Sequence, residues 1–445
     1  MKAGGNTTAG TEWPEDLLGP ILNLPDYHQL WVAFSGGLDS SLLLQVVAAA
    51  HPAVRALHIN HQLQPNHEDT ERTCREVCER LGVSLNVHRV SVDAEDGGIE
   101  AAAREARYEA FHSVIGPGDL LLMAHHADDQ AETVLFRMLR GSGVRGLAGM
   151  PRTRALRRGH LFRPWLGISR ARLLQVASER GIPWVEDPSN VSEVHDRNFL
   201  RHSVMPRLSE RWPGLLKRIA YSARACAESE ALNRRLAEMQ WADCGDDEGR
   251  VRLVPFSSLT GLERKNLVCW WIRSNGFALP GVSDWDAVLG ALVHAAPDRN
   301  PELVGDGFCI RRYRHHLYLV PEVEVPSGPE VLTVGRTLRW GYWSLRLVPA
   351  NDGTTTETSH PEIRVSTRQG GEGVRFTENG PSRSLKTWLQ ERGVPPWERP
   401  VLPLVSEIRD GHDEWVAIGD LWTSGRYSGS AHAAGWRLIV ERDCD

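Results

Sequence analysis

Residues 29 to 126 alternate between two hydrophobic patterns. Short apolar runs bounded by polar residues or glycine are typical of strands, and longer segments with apolar residues three or four apart are typical of helices. The strand segments are QLWVAF, VRALHIN, SLNVHRVSV and DLLLMAHH, and the helix segments between them are SSLLLQVVAAAH, EDTERTCREVCERLG and IEAAAREARYEAFHSVIG. This βαβαβαβ order predicts an α/β fold with a Rossmann-like parallel sheet and crossover helices.

The pattern changes after about residue 215. Helical periodicity dominates the next hundred residues, and the segment GLLKRIAYSARACAESEALNRRLAEMQ is interpreted as a linking helix. A stretch rich in Pro, Gly and Glu, EVEVPSGPE, then precedes alternating segments that are typical of strands. The predicted organisation is a loose N-terminal tail (1–28), a catalytic domain (29–215), a mainly helical middle domain (216–328) and a small α+β C-terminal domain (329–445).

The segment SGGLDS, residues 35–40, joins the first predicted strand to the first predicted helix. Paired glycines let the backbone approach a ligand closely, and the N–H groups at a helix start favour an anion such as phosphate. The hydroxyls of Ser35 and Ser40 offer further donors. Asp39 would repel a bare phosphate, so a Mg²⁺ ion between the two is expected. The simpler alternative is a glycine turn whose Asp39 caps the helix.

A second polar group follows the fourth predicted strand in the segment HHADDQAE. Glu132 lies one helical turn beyond Asp129, so both carboxylates can face the same way. Because ligands of open parallel sheets bind beyond the carboxyl ends of the strands, these residues and Asp39 are predicted to share one site. A helix start of the form Asp-x-x-Glu is the simpler explanation, since carboxylates there are favoured by the helix dipole.

Charge is distributed unevenly along the chain. The net charge is −6, which argues against a protein dedicated to binding nucleic acid. Of 51 basic residues only four are lysines, and the arginines concentrate in two runs, at 137–163 and 197–225. The first run contains eight arginines and no acidic residue. These runs indicate local surfaces for a polyanion on an otherwise acidic protein.

The remaining composition favours an ordinary globular protein, with 41% hydrophobic and 24% charged residues among 445. No apolar stretch approaches the roughly 20 residues of a membrane span, and the first residues lack the apolar core of a secretory signal. A cytoplasmic location is therefore expected. None of the seven cysteines forms a CxxC pair, and Cys74 and Cys78 are interpreted as ordinary thiols.

SGGLDS resembles the pyrophosphate loop of the N-type ATP pyrophosphatases, which split ATP into AMP and pyrophosphate. The segments HHADDQAETVLFRMLRGSGVRGLAGM, EDPSN (186–190), RNFLRHSVMPRL and PSRSLKTWLQERGVPPWERPVLPLV follow in an order similar to that of the tRNA(Ile)-lysidine synthetase family. The resemblance extends over nearly the whole chain after residue 28 and is loose between about 230 and 325.

This resemblance implies a two-step ligation on isoleucine tRNA with a CAU anticodon. ATP would adenylate the wobble cytidine at carbon 2, and free L-lysine would then displace AMP through its side-chain amine. The product changes codon reading and aminoacylation identity from Met to Ile. Since a lysine amine is mostly protonated at neutral pH, a base is needed, and the sequence leaves Asp129, Glu132 and His125 as candidates.

The resemblance also assigns residues to roles. Asp39 and Asp129 would ligate Mg²⁺, and Glu132 with Asp129 would lie near the lysine ammonium. The expected ATP contacts are Ser35, Gly36, Gly37, Leu38, Asp39, Ser40, His58 and Arg104. The expected substrate or tRNA contacts are His125, Arg201, Arg383 and Lys386. His58 has an equally simple interpretation as an ordinary histidine at a strand end. The sequence leaves the oligomeric state open, with a homodimer as one option.

Three other functions fit the sequence less well. A tRNA sulfur transferase with the same loop, the main alternative, needs reactive cysteines or an iron–sulfur site, and no cysteine lies near the predicted strand ends. An amidotransferase-type synthetase needs a glutaminase domain, for which the first 28 residues leave no room. An RNA-binding protein with an inert nucleotide domain is disfavoured because the loop and both candidate metal carboxylates are intact.

Overall fold

The structure is a computed structural model that describes residues 13–63, 66–91, 99–186, 196–295, 299, 301–324, 326, 328–349, 361–376, 380–409, 412–427 and 436–442. The chain divides into two compact units, Met1–Arg235 and Leu236–Asp445. Residues 187–190 of the segment EDPSN lie outside the described residues.

The first unit is an α/β structure. Its strands are β1 (Leu30–Ala33), β2 (Arg55–Asn60), β3 (Ser84–Arg89), β4 (Leu120–Leu122), β5 (Thr153–Ala155) and β6 (His160–Phe162). Its helices are α1 (Glu15–Leu22), α2 (Leu38–Ala50), α3 (His67–Leu81), α4 (Ile99–Val114), α5 (Ala127–Leu139), α6 (Val144–Leu147), α7 (Arg170–Glu179), α8 (Asp196–Phe199) and α9 (Met205–Arg211), with a π-helix at Leu200–Val204.

Within the described residues, the strands form one six-stranded sheet in the order β3-β2-β1-β4-β6-β5. All neighbouring pairs are parallel except β5 with β6. The predicted βαβαβαβ order and the Rossmann-like parallel sheet are therefore confirmed. Because β1 to β4 and β6 run in the same direction, the segments that follow them meet at one edge of the sheet.

Helices cover both faces of this sheet, which explains why its strands are apolar on both sides. Leu30 and Val32 of β1 point into a core shared with α1, α2, α3 and α7, while Trp31 points into a second core with Phe111 of α4. The predicted helix end at Gly82 is confirmed, since Gly82 has φ +65° and caps α3.

Residues 13–28 are not the loose tail that the sequence suggested. Helix α1 packs its fully buried Leu17 and Ile21 into the core, and the Leu17 carbonyl accepts a hydrogen bond from Trp165 Nε1 at 3.0 Å. Leu17 and Ile21 lie four residues apart, which places both side chains on one face of the helix. Pro14 and Pro20 obscured this pattern because proline usually breaks a helix, yet here they stand at the cap and in the last turn.

The second unit begins inside α10 (Leu215–Cys244), so the predicted linking helix is confirmed as one continuous helix. Its further helices are α11 (Leu253–Ser258), α12 (Gly261–Ser274), α13 (Trp285–His294) and α14 (Leu385–Glu391). Its strands are β7 (Val251–Arg252), β8 (Glu302–Gly305), β9 (Phe308–Tyr313), β10 (His316–Pro321), β11 (Glu330–Leu332), β12 (Thr337–Trp340), β13 (Trp343–Pro349), β14 (Ile363–Ser366), β15 (Gly373–Val374), β16 (Arg383–Ser384), β17 (Leu404–Arg409), β18 (His412–Ile418), β19 (Trp422–Thr423) and β20 (Trp436–Arg442).

The middle of the chain is helical, as predicted, but it also contains a four-stranded antiparallel sheet in the order β7-β10-β9-β8. The sequence did not indicate this sheet because its β9 strand, FCIRRY, carries two adjacent arginines that mask the alternation. After residue 328, a five-stranded and a three-stranded antiparallel sheet share a core with α14, and this confirms the small α+β domain. The tryptophans serve packing here: Trp340 and Trp343 are fully buried.

Candidate active site

The SGGLDS loop leaves β1 and enters α2 at the edge where the parallel strands end. Gly36 has φ +83°, and a Cβ atom there would lie 3.0 Å from the Cys74 sulfur, so only glycine fits. Gly37 is the N-cap of α2 and provides no side-chain cap. The first N–H groups of α2 are thus left open towards the loop, as anion binding at a helix start requires.

The loop serines hold this conformation through their hydroxyls. Ser40 Oγ accepts from the Ser35 amide at 3.2 Å and donates to the Gly37 carbonyl at 3.1 Å. The Ser41 hydroxyl donates to the Gly36 carbonyl at 3.2 Å. Leu38 is buried in the core, so it can contribute to a ligand only through its backbone. The hydroxyls of Ser40 and Ser41 therefore shape the loop, and the donors left open to a ligand are its backbone N–H groups.

Asp39 does not cap the helix, which removes the simpler alternative for this residue. Its Oδ1 atom is buried and has no hydrogen-bond partner, and its Oδ2 atom lies 3.7 Å from Nε2 of His126. Burial raises the pKa of the Asp39 carboxyl, and the nearby His126 opposes that shift. A buried carboxylate oxygen without a partner is costly unless a cation or donor meets it.

His126 lies between the carboxylates of the two polar segments. Its Nδ1 atom accepts from the Asp129 amide at 3.3 Å, and Asp129 Oδ2 accepts from the His126 amide at 3.1 Å, so the pair forms a capping box at the start of α5. Its Nε2 atom lies 3.4 Å from Asp129 Oδ2. The histidine beside these carboxylates is thus His126 and not the predicted candidate His125, and its position directly before a helix is the only sequence signal for it.

Arg201 covers the two predicted substrate carboxylates. Its guanidinium donates to both oxygens of Glu132, at 2.7 and 2.8 Å, and to Oδ1 of Asp129 at 2.8 Å. Glu132 is buried, whereas Arg201 is about one-third exposed. Burial raises the pKa of Glu132 and of Asp129, and in both cases the Arg201 charge opposes the shift. The carboxylates predicted to meet an ammonium group thus already bind a cation.

A π-helix places Arg201 over these carboxylates. The segment Leu200–Val204 connects α8 to α9, and Pro206 follows in the first turn of α9. Proline has no N–H to continue the α-helical ladder, which favours a local irregularity just before it. π-helical turns commonly occur at functional sites because they redirect one side chain.

The carboxylates fit a magnesium ion only in part. Among the described residues, no group of three or more His, Cys, Asp or Glu side chains is arranged to hold a metal. The open oxygen of Asp39 and the neighbouring Asp129 nevertheless match the preference of Mg²⁺, which binds one or two carboxylates and takes its other ligands from phosphates and water. The donor set therefore fits a magnesium ion that arrives with a nucleotide.

The other predicted contacts in the first unit lie around this centre. His58 is buried, and its Nδ1 atom bonds to the Phe34 carbonyl at 2.8 Å, so it supports the loop from below. Arg104 is exposed on α4, with its guanidinium 5.1 Å from the Tyr108 ring centre. His125 accepts from Arg163 Nε at 3.1 Å. The expected contacts of His58 with ATP and of His125 with the substrate or tRNA remain predictions.

The predicted tRNA contacts in the C-terminal domain differ in their exposure and in the partners that the fold already gives them. Lys386 is exposed at the start of α14. Arg383 is exposed but pairs with Glu391 at 3.1 Å. Arg399, which follows α14, is partly buried and donates to the Val394 carbonyl at 2.7 Å. Arg399 therefore stabilises its own loop, and Lys386 is the better candidate for a phosphate contact.

The two cysteines closest to the loop have unreactive, protonated thiols. Burial raises the pKa of the Cys74 thiol to about 12 and that of Cys78 to about 11, so both stay protonated at neutral pH. This matches their interpretation as ordinary thiols and disfavours the sulfur transferase alternative.

In the described parts of the chain, no helix is both long enough and apolar enough to cross a bilayer.

Comparison with known proteins decides the family. Sequence models described as a PP-loop domain, a TilS substrate binding domain and a TilS substrate C-terminal domain match residues 15–208, 252–318 and 363–440. The tRNA(Ile)-lysidine synthase of Alkalilimnicola ehrlichii is 39% identical over 96% of this chain and 97% of its own length. The chain belongs to the tRNA(Ile)-lysidine synthase family. The resemblance to this family seen in the sequence motifs is thereby confirmed, as is the predicted enzyme class, an ATP-dependent ligase.

Other members of the tRNA(Ile)-lysidine synthase family match over similar lengths. The enzyme of Pseudomonas aeruginosa is 38% identical and covers 92% of this chain and 92% of its own. That of Coxiella burnetii is 35% identical, with 96% of both chains covered. The loose resemblance in the middle of the chain is thus part of a match along nearly the full length.

Proposed function

We propose that this chain ligates lysine to carbon 2 of the wobble cytidine in the CAU anticodon of isoleucine tRNA. ATP is consumed through an adenylated tRNA intermediate and leaves as AMP and pyrophosphate. The observation that carries this proposal is the meeting of three carboxylates beside the SGGLDS loop: Asp39 and Asp129 lie 3.7 and 3.4 Å from Nε2 of His126, and Asp129 shares the Arg201 guanidinium with Glu132. Family membership agrees with it.

In the first step, the loop from Ser35 to Ser40 holds the ATP phosphates through its open N–H groups. Asp39 and Asp129 would hold a magnesium ion that accompanies these phosphates. When bound, this ion offsets negative charge on the phosphates and on the leaving pyrophosphate. The oxygen on carbon 2 of the wobble cytidine then bonds to the α-phosphorus of ATP, and the bond from that phosphorus to the oxygen bridging the β-phosphate breaks, which releases pyrophosphate.

In the second step, the side-chain amine of free lysine attacks carbon 2, and AMP departs. Asp129 and Glu132 bind the lysine ammonium and accept its proton before attack. Their burial supports this role, since a raised pKa makes a carboxylate a better proton acceptor near neutral pH. His126 stays neutral because burial lowers its pKa, and it holds Asp129 in place.

The tRNA substrate explains the two arginine-rich runs at 137–163 and 197–225, which would contact its backbone. Lys386 in the C-terminal domain would add a further contact. Lysidine formation would change the tRNA from Met to Ile identity. Such a reaction belongs in the cytoplasm, where tRNA, ATP and free lysine occur together.

Nucleotide products test this proposal directly. With tRNA(Ile) carrying a CAU anticodon, ATP, Mg²⁺ and lysine present, ATP should yield AMP and pyrophosphate, and omission of the tRNA should stop both. Release of ADP and phosphate, or AMP formation that ignores the tRNA, would contradict the proposal.

A further inference from the structure

The second unit contains two separate hydrophobic cores. One includes Trp271 and Leu317 of the middle domain, and the other includes Trp343 and Leu404 of the C-terminal domain. The two family models that match this unit divide the chain between the same two cores. Domains with their own cores are expected to move relative to each other unless specific contacts hold them together.

The β9–β10 hairpin of the middle domain reaches the C-terminal domain through its turn. Arg314 lies in this turn and is exposed, and its Nη2 atom donates to the Gln390 carbonyl at 2.8 Å. Gln390 is in the last turn of α14, where carbonyl groups lack the regular helical N–H partner. A guanidinium is a favourable cap for such a helix end. The hairpin thus caps a helix that belongs to the other domain.

The backbone at Arg314 is unusual for an arginine. Among the described residues, only Arg314 and Gln62 have a positive φ without being glycine, and the φ of Arg314 is +52°. Glycine or asparagine is the usual choice for this left-handed conformation, which is unfavourable for other residues. The contact with Gln390 offsets that cost, so the arginine is explained by what its side chain reaches and not by the turn itself.

The C-terminal domain leaves room for this guanidinium. Gly393 follows α14 with φ +78°, and a Cβ atom there would lie 2.9 Å from Nη1 of Arg314. A side chain at this position would therefore displace the arginine. The glycine satisfies two requirements at once: it ends the helix in the left-handed conformation, and it admits a side chain from the other domain.

An aromatic group packs beside this contact. The ring centre of Trp397, in the C-terminal domain, lies 6.0 Å from that of Tyr313 and 5.4 Å from that of Tyr318, both edge to face. The guanidinium of Arg311 is 5.7 Å from the centre of the same tryptophan ring. Nη2 of Arg399 donates to the Tyr313 hydroxyl at 3.4 Å. Edge-to-face aromatic pairs favour a narrow range of geometries, so this packing constrains the orientation of the two domains.

We call these contacts the hairpin junction. Its members are Arg311, Tyr313, Arg314 and Tyr318 of the hairpin and Gln390, Gly393, Trp397 and Arg399 of the C-terminal domain. Because the junction includes the end of α14, it fixes this helix relative to the middle domain. Lys386, the candidate phosphate contact, lies on the same helix.

We propose that the hairpin junction joins the middle and C-terminal domains into one rigid body that binds tRNA, with Arg314 and Trp397 as its positioning residues. A polyanion that contacts both domains at once binds more tightly when their relative orientation is already fixed, since less freedom is lost on binding. The proposal rests on the proposed function for the identity of the RNA.

The test compares Arg314→Asn with Arg336→Asn in the full chain. Asparagine tolerates the left-handed turn but is too short to reach α14. Arg336 is an exposed arginine between β11 and β12 of the same unit, so its variant loses the same charge. We would measure the dissociation constant of a CAU-anticodon tRNA transcript at several salt concentrations, and the maximum dimension of the ligand-free protein by small-angle X-ray scattering.

Arg314→Asn should weaken tRNA binding about tenfold, because the two domains no longer present their contacts in a fixed arrangement. The salt slope should stay the same, since the same phosphates are contacted once the domains have come together. The maximum dimension without ligand should increase. Trp397→Leu should change all three measurements in the same direction, because it acts through the same junction.

Wild-type tRNA affinity or an unchanged maximum dimension in both Arg314→Asn and Trp397→Leu would overturn the proposal. So would a salt slope smaller by about one in Arg314→Asn, which would make Arg314 a direct phosphate contact. An equal loss of affinity in Arg336→Asn would reduce the effect to net charge and overturn it as well. Arg314→Lys should recover part of the affinity, since an ammonium group can also donate to the Gln390 carbonyl.

Neither measurement needs turnover. The maximum dimension is recorded without any ligand, and tRNA binding is measured without ATP or lysine. A chain with an intact hairpin junction that fails to modify tRNA would contradict the proposed function alone, and an active chain whose Arg314→Asn variant is unchanged would contradict the junction alone.

Discussion

Arg201 donates to both carboxylate oxygens of Glu132, at 2.7 and 2.8 Å. A paired fork of this kind fixes the orientation of a buried carboxylate in a way that a single contact does not. Any ammonium group that binds Glu132 must share it with this guanidinium. The ion pair therefore connects the segment RNFLRHSVMPRL to the proposed lysine site.

Arg201→Lys should lower kcat/KM for lysine at least about tenfold, because a lysine side chain cannot hold both oxygens of Glu132. The KM for ATP should change less than about twofold, since the loop does not depend on this contact. Steady-state kinetics with each substrate varied would measure both values. Arg207→Lys, on the exposed side of α9, is the matched control. An Arg201→Lys enzyme with wild-type lysine kinetics would show that the ion pair is only structural.

Asp39→Asn should reduce AMP release at least about 100-fold, because the charge that anchors the magnesium ion is lost. Its melting temperature without ligand should not fall: burial raises the pKa of Asp39, so its ionised form is disfavoured in the folded protein, and a neutral side chain relieves that cost.

Asp128→Asn provides the control for Asp39→Asn. Asp128 Oδ2 accepts from the Arg170 amide at 2.8 Å, a contact that an asparagine oxygen can keep. This variant should retain most of the AMP release. Similar activities of the two variants would argue against a special role for Asp39.

Stability at low pH should depend on Glu71. Hydrogen bonds from Arg89, Arg75 and Asn60 lower the pKa of Glu71 from its ordinary 4.5 to about 2. A lowered carboxyl pKa stabilises the fold above about pH 4.5, and that contribution is lost as the pH falls towards 2. Glu71→Gln should therefore lower the free energy of unfolding by about 1–3 kcal/mol at pH 7 and by less at pH 3.

Urea unfolding at pH 7, 4 and 3 would measure this dependence, with Glu76→Gln on the exposed face of α3 as the control. If Glu71→Gln and the wild type lose stability in parallel as the pH falls, Glu71 does not carry the effect.

The C-terminal domain should contain two kinds of basic residue. Lys386→Gln should weaken tRNA binding and reduce its salt slope by about one, as expected for one lost phosphate contact. Arg399→Gln should leave the salt slope unchanged but cost about 1–2 kcal/mol of stability, because Arg399 donates to the Val394 carbonyl inside the fold. Binding at several salt concentrations and thermal melting separate the two. The opposite result would place Arg399 on the tRNA surface.

The sequence predicted those parts of the molecule that follow from local pattern. Alternating strand and helix segments indicated the parallel sheet, and the strand ends indicated that Asp39 and Asp129 share an edge. The carboxyl ends of parallel strands always meet at one edge of the sheet. Residues distant in sequence, such as Asp39 and Asp129, can therefore be predicted to lie close together.

Features that depend on packing could not be predicted from the sequence. Helix α1 is stabilised by burial of Leu17 and Ile21, which overrides the prolines around it. Whether His125 or His126 lies near Asp39 depends on which side of the extended backbone faces that carboxylate. The contact of Arg201 with Glu132 depends on a π-helix. The last two leave no periodic signal in the chain, and the i, i+4 spacing of Leu17 and Ile21 is too short a pattern to outweigh the prolines.

Transfer of lysine to the wobble cytidine is tested most directly by the mass of that nucleotide. The measurement uses CAU-anticodon isoleucine tRNA incubated with the protein, ATP, Mg²⁺ and isotope-labelled lysine, followed by nuclease digestion and mass spectrometry. The wobble nucleotide should gain the mass of one labelled lysine less one water. An unmodified wobble cytidine, or equal modification with ammonia in place of lysine, would contradict the account.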